Sequence, residues 1–226
     1  MNRRSFLRLT LAGVAGATAG VPLSACGAES PSPSLDRGSP PAQSEDGRIL
    51  LAYFSRPGEN YWYGGRRNLR VGNTEVLARM IGARLDCDLH RIEAADPYPA
   101  GYDETVRRNV REQNADARPT IANPLPSIDQ YDTILLASPI WNVRAPMIMT
   151  TFAERYDFSG KTVHPVTTYA MSGLGMTPDD YARSCRGARI GTGLAVRGEE
   201  APSARADVDS WLRRTGLRRG ASKLRA

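Results

Sequence analysis

A short polar run before a helical pattern has the donors that a phosphate group requires. Gly72, Asn73 and Thr74 open this pattern, so a hydroxyl, a side-chain amide and unpaired backbone N–H groups would meet at a helix amino terminus. Ser55 follows an apolar run upstream and would bring a second hydroxyl to the same place. None of these side chains is charged, but the field of a helix terminus lets neutral donors hold an anion. The pattern therefore predicts an anion site suited to a phosphate.

Two other runs have the residues needed to surround a flat ring. Trp141 lies in a loop after an apolar run, where its indole could stack on an aromatic ligand. Tyr169 opens a second run that carries two glycines, and glycines let backbone N–H groups approach a ligand closely. The candidate residues of these runs are Ser138, Pro139, Ile140, Trp141 and Asn142, then Tyr169, Ser172, Gly173 and Gly175.

Motifs for other kinds of chemistry are absent from the sequence. Ser172 has no Gly-x-Ser-x-Gly context and no matched His, which argues against a hydrolase triad. There is no Walker loop and no Gly-x-Gly-x-x-Gly fingerprint, so no built-in NAD site is expected. Cys87 and Cys185 form no CxxC pair, and His90 and His164 are isolated, so the sequence predicts no metal site and assigns no catalytic side chain. A Cys87–Cys185 disulfide is left open.

Apolar runs and helical periodicities alternate along residues 48–217, which predicts one α/β domain. Parallel strands need helical crossovers, so the alternation indicates an open, doubly wound, five-stranded parallel sheet with helices on both faces. Ligands bind outside the carboxyl ends of such strands, which is where the phosphate-binding and ring-binding runs lie. The predicted strands are 49–54, 88–92, 133–137, 162–169 and 190–196, and the predicted helices are 73–85, 102–110, 146–156, one that starts at 177, and 203–214.

An insert, residues 56–72, separates Ser55 from Asn73. Three aromatic residues and two arginines fall within its stretch 59–67. Long loops without secondary structure of their own are more often functional than not, so we expect a flap over the ligand or a partner-docking surface. A loop that packs its aromatic side chains on the domain surface is the alternative. Either Arg56 or Arg70 could help to neutralise a phosphate.

Residues 1–26 have the pattern of an export signal with a lipobox. Arg3 and Arg4 begin a twin-arginine motif, and an apolar stretch at 9–21 is too short for a comfortable membrane span. Small residues precede Cys26, as in a bacterial lipobox whose cysteine is lipidated. We therefore expect export by the twin-arginine route and a lipid anchor at the outer face of the cell membrane. A plain signal peptide or an uncleaved anchor is the alternative.

The basic charge is concentrated at the two ends of the chain. The net charge is +6, yet the first 25 residues hold three arginines and the last 14 hold six basic residues, in both cases without an acid. Removing these nine leaves 21 basic residues against 24 acidic ones. The body is therefore near neutral, which excludes a basic groove for nucleic acid. Residues 27–47, rich in Pro and Ser, are predicted to be a disordered tether, and 218–226 a basic tail.

With these runs in this order, the sequence resembles the flavodoxin family over about residues 48–215. The resemblance rests on Tyr53-Phe54-Ser55, Gly72-Asn73-Thr74-Glu75, the stretch from Asp96-Pro97-Tyr98-Pro99 to Arg118-Pro119, Ser138-Pro139-Ile140-Trp141 and Ser172-Gly173-Leu174-Gly175. It implies a flavodoxin-like sheet with strand order 2-1-3-4-5. It also implies FMN as a cofactor that is bound without a covalent bond.

The same resemblance implies a role for each candidate residue. Ser55, Asn73 and Thr74 would hold the phosphate. Trp141 and Asn142 would lie against the isoalloxazine, and Tyr169 with the run 172–175 would border its other side or edge. The leading hypothesis is an FMN-binding electron-transfer protein whose partner is a redox protein or a quinone. The alternatives are an FMN-dependent NAD(P)H or quinone reductase, and a binding module on the same fold that has lost its flavin.

Overall fold

The computed structural model describes residues 47–217, from Gly47 to Leu217. The predicted export signal, nearly all of the predicted tether and the predicted basic tail lie outside these residues. Within residues 47–217, no helix is both long enough and apolar enough to cross a membrane.

A parallel sheet with helices on both faces forms the centre of the described domain. The strands are β1 (Ile49–Tyr53), β2 (Gly58–Trp62), β3 (Gly65–Leu69), β4 (Asp88–Arg91), β5 (Thr133–Pro139), β6 (Thr162–Tyr169), β7 (Arg189–Ile190) and β8 (Leu194–Arg197). The helices are α1 (Asn73–Gly82), α2 (Tyr102–Asn114), α3 (Met147–Arg155), α4 (Thr177–Ser184) and α5 (Arg205–Thr215), with a 3₁₀ helix at Gly198–Ser203. In the sheet, β4, β1, β5 and β6 follow one another, and β7 and β8 both pair with β6. The predicted flavodoxin-like fold and strand order are confirmed.

The fifth strand is split into β7 and β8, and the Thr192 carbonyl between them points toward side chains of β6 and α5 instead of continuing the ladder. His164 Nδ1 lies 2.9 Å from the Thr192 carbonyl oxygen, and Trp211 Nε1 donates to the same oxygen at 2.9 Å. Burial lowers the pKa of His164, so the neutral ring is favoured, and its Nδ1–H donates this bond. Gly191 allows the approach, because a Cβ there would lie 2.5 Å from the His164 ring. The predicted glycine-interrupted strand at 190–196 is therefore two short strands.

Both faces of the central strands are buried, which explains their nearly unbroken apolar runs. Leu50 and Leu136 point into one core, where they meet Phe152 of α3. Their sequence neighbours Leu51 and Leu135 point to the other face and pack with α1 and α5. Trp211 of α5 is fully buried in this second core. The two cores fix the sheet between the helix layers, so the carboxyl ends of its strands have a defined geometry.

Helix α4 begins at Thr177, as the sequence predicts, and Met176 occupies the N-cap position. The Thr177 side chain is fully buried, and its Oγ1 has no hydrogen-bond partner in the described part of the chain. The preceding turn is held by Met176 N, which donates to the Val143 oxygen at 2.8 Å.

Helix α2 forms where the four-residue spacing predicts it, but the helix buries other residues. The spacing places Tyr102, Val106 and Val110 on its apolar face, yet the buried residues of α2 are Thr105 and Asn109. Val106 is 43% exposed and Val110 is 41% exposed. Thr105 Oγ1 donates to Pro99 O and Gly101 O, which satisfies the buried hydroxyl locally. The apolar side of α2 therefore faces something other than the core.

The insert is a β-hairpin, which corrects the expectation of a loop without secondary structure. β2 and β3 pair in antiparallel register from Gly58↔Leu69 to Trp62↔Gly65. Tyr63 and Gly64 form the two-residue turn with φ of 44° and 85°, the left-handed conformations that tight hairpin turns require. The hairpin could not be predicted from the sequence because neither strand has an alternating apolar pattern.

Polar contacts attach the hairpin to the domain at both ends. Glu59 N donates to Ala100 O at 2.8 Å, and Glu59 Oε2 accepts from Tyr102 N at 3.0 Å, where it also lies at the positive end of α2. At the turn, Tyr63 N donates to Glu199 Oε1 at 2.9 Å. The hairpin thus connects the start of α2 with the 3₁₀ helix. Its role as a flap or docking surface stays a prediction.

Both described cysteines are free thiols, and burial raises the pKa of each. Burial, with help from Asp88 and Asp86, raises the pKa of Cys87 to about 11, and burial raises the pKa of Cys185 to about 12. At pH 8 a thiol of pKa 11 is about one part in a thousand thiolate, against about a quarter for an ordinary cysteine. We expect iodoacetamide to alkylate both at least about a hundredfold more slowly in the folded Cys26→Ser chain than in guanidinium. Equal rates in the two states, followed by mass spectrometry, would contradict this.

Candidate functional site

A cavity of about 300 Å³ opens at the carboxyl edge of the sheet. This volume is at the lower end of the usual range for small-molecule sites, about 300–1,000 Å³. The cavity is bounded by the hairpin, the start of α1, one face of α2, and the chain segments that follow β5, β6 and β8. Its lining is Ser55, Arg56, Asn60, Tyr61, Asn73, Thr74, Tyr102, Thr105, Val106, Asn109, Val110, Pro139, Ile140, Trp141, Asn142, Thr168, Tyr169, Ala170, Gly198 and Glu199.

One end of the cavity concentrates hydroxyl and amide groups at the start of α1. Ser55 Oγ accepts a hydrogen bond from Glu75 N at 3.0 Å, which leaves its own proton free to be donated. Thr74 Oγ1 and Thr168 Oγ1 are 2.6 Å apart, so one hydroxyl donates to the other and one proton is left over. The first-turn amides add N–H donors and the positive end of the helix. This end of the cavity can therefore bind an anion.

Two glycines permit the close packing of these donors. A Cβ on Gly72 would lie 2.5 Å from the Arg56 oxygen and closer still to Ser55 Oγ. A Cβ on Gly198 would lie 2.5 Å from Asn73 Nδ2. Real Cβ atoms essentially never come within 3.0 Å of such groups, so any larger residue would displace Ser55 or Asn73 from the cavity. Gly72 therefore belongs to the site although it does not line the cavity.

Arg56 brings a buried positive charge to the same cavity. The side chain is 7% exposed. Its Nη1 donates to Pro99 O and Ala100 O, each at 2.9 Å, and its Nη2 donates to Glu59 O. Burial lowers the pKa of the guanidinium, which shows that no carboxylate fully offsets the loss of water. Arg70, the other candidate cation, is exposed and lies outside the lining.

Trp141 is held in place by a tight turn and by aromatic neighbours. Its ring packs edge-on against Tyr98 and Phe54, with centroid distances of 5.2 and 5.7 Å. The chain then turns through Asn142 and Val143, which have φ of 51° and 63°. Left-handed backbone is costly for a β-branched residue such as Val143 and tends to occur at functional sites. The turn fixes the position of the indole at the cavity.

Gln113 of α2 fastens this turn from the other side. Its Nε2 donates to the Trp141 oxygen at 3.1 Å, and its Oε1 accepts from Asn142 Nδ2 at 3.2 Å. One glutamine thus joins α2 to the loop that carries the indole. A shift of α2 would therefore also shift the wall of the cavity that Trp141 forms.

The structure brings most of the predicted site residues together. The cavity is lined by Ser55, Asn73, Thr74, Pro139, Ile140, Trp141, Asn142 and Tyr169. Ser138 is fully buried within β5 and does not line it. Ser172, Gly173 and Gly175 also lie outside the lining, and Gly173 O instead accepts a bond from Thr167 Oγ1 at 2.9 Å. A role for these four residues in ligand binding stays a prediction.

Sequence reasoning missed the residues that come from α2 and from the hairpin. The missed lining residues on α2 are Tyr102, Thr105, Val106, Asn109 and Val110, and those on the hairpin are Asn60 and Tyr61. The one available signal is the four-residue spacing of Val106 and Val110, which does not distinguish a face toward the core from a face toward a cavity. No group of three or more His, Cys, Asp or Glu side chains within residues 47–217 is placed to hold a metal ion.

Comparison with known proteins assigns the family. A model of the family described as Flavodoxin matches residues 68–215, which is more than half of the 226-residue chain. The chain belongs to the flavodoxin family. The match begins at the end of β3 and so leaves out most of the hairpin. No match was found among curated protein sequences.

Solved structures of proteins described as flavoproteins share this fold. A protein from Bacteroides uniformis described as a flavoprotein is 28% identical over 75% of this chain and 99% of its own, with a TM-score of 0.59. A second such protein, from Bacteroides eggerthii, is 28% identical over 76% of this chain and 99% of its own, with a TM-score of 0.57. A Lactobacillus acidophilus flavoprotein solved in complex with FMN is 18% identical over 73% of this chain and 97% of its own, with a TM-score of 0.51.

Proposed function

We propose that this flavodoxin-family protein binds FMN and transfers electrons. The observation that carries the proposal is that one cavity holds both the anion-binding start of α1 and the indole of Trp141. Family membership and the FMN complex of the Lactobacillus acidophilus protein support FMN as the cofactor. When bound, the flavin supplies the one- and two-electron chemistry, and the protein supplies binding, orientation and exclusion of water.

The donors at the start of α1 suit the phosphate of FMN. Ser55 and the Thr74–Thr168 pair each have a proton to donate, and Asn73 contributes its amide. Arg56 contributes the positive charge that the sequence could not assign. This set combines directional donors with a buried cation, and such hydrogen bonds to a charged group are stronger than neutral ones.

The loops after β5 and β6 suit the flat ring. Ile140, Trp141 and Tyr169 give the cavity apolar and aromatic sides at the edge where ligands of such sheets bind. The predicted stacking of the isoalloxazine on Trp141 is part of this proposal. The rigid turn at 142–143 would hold the indole in one orientation whether or not the cofactor is bound.

The first experiment is a visible spectrum of the full-length chain, kept in the cytoplasm by Arg3→Lys and Arg4→Lys. We expect a flavin spectrum, with FMN released on denaturation. If the protein is purified without colour, titration with FMN should restore the spectrum. A colourless protein that also fails to bind added FMN would refute the proposal.

Thr74→Val tests the phosphate site. The substitution keeps the side-chain volume but removes a hydroxyl that would donate to a charged group, which contributes about 1.5–3 kcal/mol. We expect FMN affinity to fall about tenfold or more, measured by fluorescence quenching. Riboflavin lacks the phosphate, so its affinity should change by less than about twofold. Thr151→Val on α3, outside the cavity lining, is the matched control. Equal losses of affinity for FMN and for riboflavin would show that the Thr74 hydroxyl does not bind the phosphate.

We also propose that the protein is exported and tethered to the outer face of the cell membrane. The support is the sequence alone, namely the twin arginines Arg3 and Arg4 and the lipobox cysteine Cys26. In the native host, radiolabelled fatty acid should enter the wild-type protein and not Cys26→Ala. The Arg3→Lys and Arg4→Lys double variant should accumulate inside the cell. Unlabelled wild-type protein would rule out the lipid anchor.

A further inference from the structure

We infer that Asn109 of α2 recognises the isoalloxazine ring of FMN, with its Oδ1 accepting a hydrogen bond from the imide N–H of the ring. The inference rests on the proposed function, because it names a residue that selects the flavin ring within the same cavity. The helix contributes five residues to the lining, and no sequence motif assigns a cofactor contact to any of them. They are Tyr102, Thr105, Val106, Asn109 and Val110.

The Asn109 side chain has a polar atom that the protein leaves unsatisfied. The residue is 3% exposed, and it lines the cavity. Its Oδ1 makes no hydrogen bond with any residue in the described part of the chain. Buried polar atoms of native proteins are nearly always hydrogen-bonded, because a buried acceptor without a donor carries the full cost of its lost hydration. This oxygen therefore indicates a ligand that brings a donor into the cavity.

Contacts near its two ends show how α2 lies along the cavity. Arg56, the buried cation of the phosphate end, donates to two backbone carbonyls just before the helix. Gln113, near the other end of the helix, donates to the Trp141 oxygen. The helix therefore runs from the phosphate end of the cavity toward the indole. Asn109 precedes Gln113 by about one turn, or about 6 Å along the axis, and so lies in the half of the cavity assigned to the ring.

The residues beside Asn109 suit a flat ring better than the polyol chain of FMN. Val106 and Val110 both line the cavity and are exposed, so the core does not use their apolar surface. The ribityl chain carries hydroxyl groups, which gain nothing from contact with valine. An aromatic ring in contact with these valines would remove their exposed apolar surface from water.

The chemistry of the ring edge matches a side-chain amide. The oxidised isoalloxazine has one ring donor, the imide N–H at N3, which stands between two ring carbonyls. An amide can accept from this N–H through its oxygen and donate to a neighbouring carbonyl through its NH₂ group. A flat ring without an N–H would leave the Asn109 oxygen unsatisfied, so the residue selects for the flavin.

The test compares FMN with N3-methyl-FMN, in which a methyl group replaces the imide hydrogen. Each is titrated by fluorescence into the full-length chain with Arg3→Lys and Arg4→Lys, after removal of any bound flavin. With Asn109 intact, we expect N3-methyl-FMN to bind about tenfold more weakly than FMN. Asn109→Ala removes the acceptor and leaves room for the methyl group. This variant should lose about tenfold in FMN affinity and should bind the two flavins within about twofold of each other.

Asn114→Ala is the matched control, since Asn114 is exposed, ends the same helix and lies outside the cavity lining. It should keep the tenfold preference for FMN. If the protein with Asn109 intact binds both flavins equally, the inference is overturned and the proposed function stands. A preference that survives in Asn109→Ala would assign the imide N–H to another acceptor, which also overturns the inference. A protein without affinity for FMN would refute the proposed function, and the inference with it.

Discussion

Arg56→Met should lower the affinity for FMN about tenfold to a hundredfold. The guanidinium is the buried cation of the cavity lining, and a hydrogen bond to a charged group contributes about 1.5–3 kcal/mol. Methionine preserves the apolar stem and removes only the charged end. The expected loss is specific for the phosphate, so riboflavin should bind to the variant within about threefold of its wild-type affinity. Fluorescence titration of both flavins measures this difference.

Arg70→Met is the control for this prediction. Arg70 lies in the same insert and has the same charge, but it is exposed and does not line the cavity. We expect its loss to change FMN affinity by less than about twofold at moderate ionic strength, because exposed charges are screened. If the two variants lose equal affinity, the phosphate responds to the net charge of the protein and not to a positioned guanidinium.

Gly175→Ala should lower the unfolding temperature by about 4–20 °C. Gly175 has φ of 54°, and a Cβ there would come within 2.9 Å of the Val143 carbonyl carbon and closer to its oxygen. Left-handed backbone costs alanine about 1–2 kcal/mol, and the displaced turn adds about 1–3 kcal/mol. For a domain of this size, 1 kcal/mol corresponds to about 2–4 °C. The same displacement should weaken FMN binding, because Val143 belongs to the turn that fixes Trp141.

Gly173→Ala separates the cost of the left-handed backbone from the cost of the contact with Val143. Gly173 has nearly the same φ, 58°, but a Cβ there would meet nothing within 4 Å. We therefore expect only the backbone cost, a decrease of about 2–8 °C in the unfolding temperature, with FMN affinity unchanged. Thermal unfolding followed by circular dichroism compares the pair. Equal decreases would mean that Gly175 is required for its backbone conformation alone and that the contact with Val143 is unimportant.

The central sheet was predictable because its strands are buried on both faces. β1 (Ile49–Tyr53) lies within the predicted strand 49–54, since burial on both faces favours an apolar run without interruption. The end of α5 was equally clear, because Gly216 adopts the left-handed conformation with φ of 71° that ends many helices. Such signals are local, so a single sequence is sufficient to find them.

The hairpin was not predictable because its strands are held by contacts distant in sequence. Glu59 caps α2 at Tyr102, and Arg66 pairs with Asp103 at 2.6 Å. Neither contact is visible in the composition of residues 56–72. Neither Gly-Glu-Asn-Tyr-Trp in β2 nor Gly-Arg-Arg-Asn-Leu in β3 alternates between apolar and polar residues, so a period of two residues could not reveal these strands.

The candidate-site residues in the loops that directly follow strands were predictable, whereas those on helix α2 were not. The loops after β1, β5 and β6 must lie at one edge of a parallel sheet, which placed Ser55, Trp141 and Tyr169 correctly at the cavity. The position of α2 depends on contacts distant in sequence, such as those of Glu59 with Ala100 O and Tyr102 N. Helical spacing identifies an apolar face but does not show whether that face packs on the core or lines a cavity.

The break between β7 and β8 also leaves this border of the sheet without a long outer strand. An uninterrupted outer strand offers a row of unpaired N–H and C=O groups on which another chain can build a sheet. Here that row is cut into pieces of two and four residues, because the Thr192 carbonyl turns inward to His164 and Trp211. The opposite edge, β4, has only four residues, two of which are Asp88 and Arg91. Neither border of the sheet gives fibril growth a long, flat template.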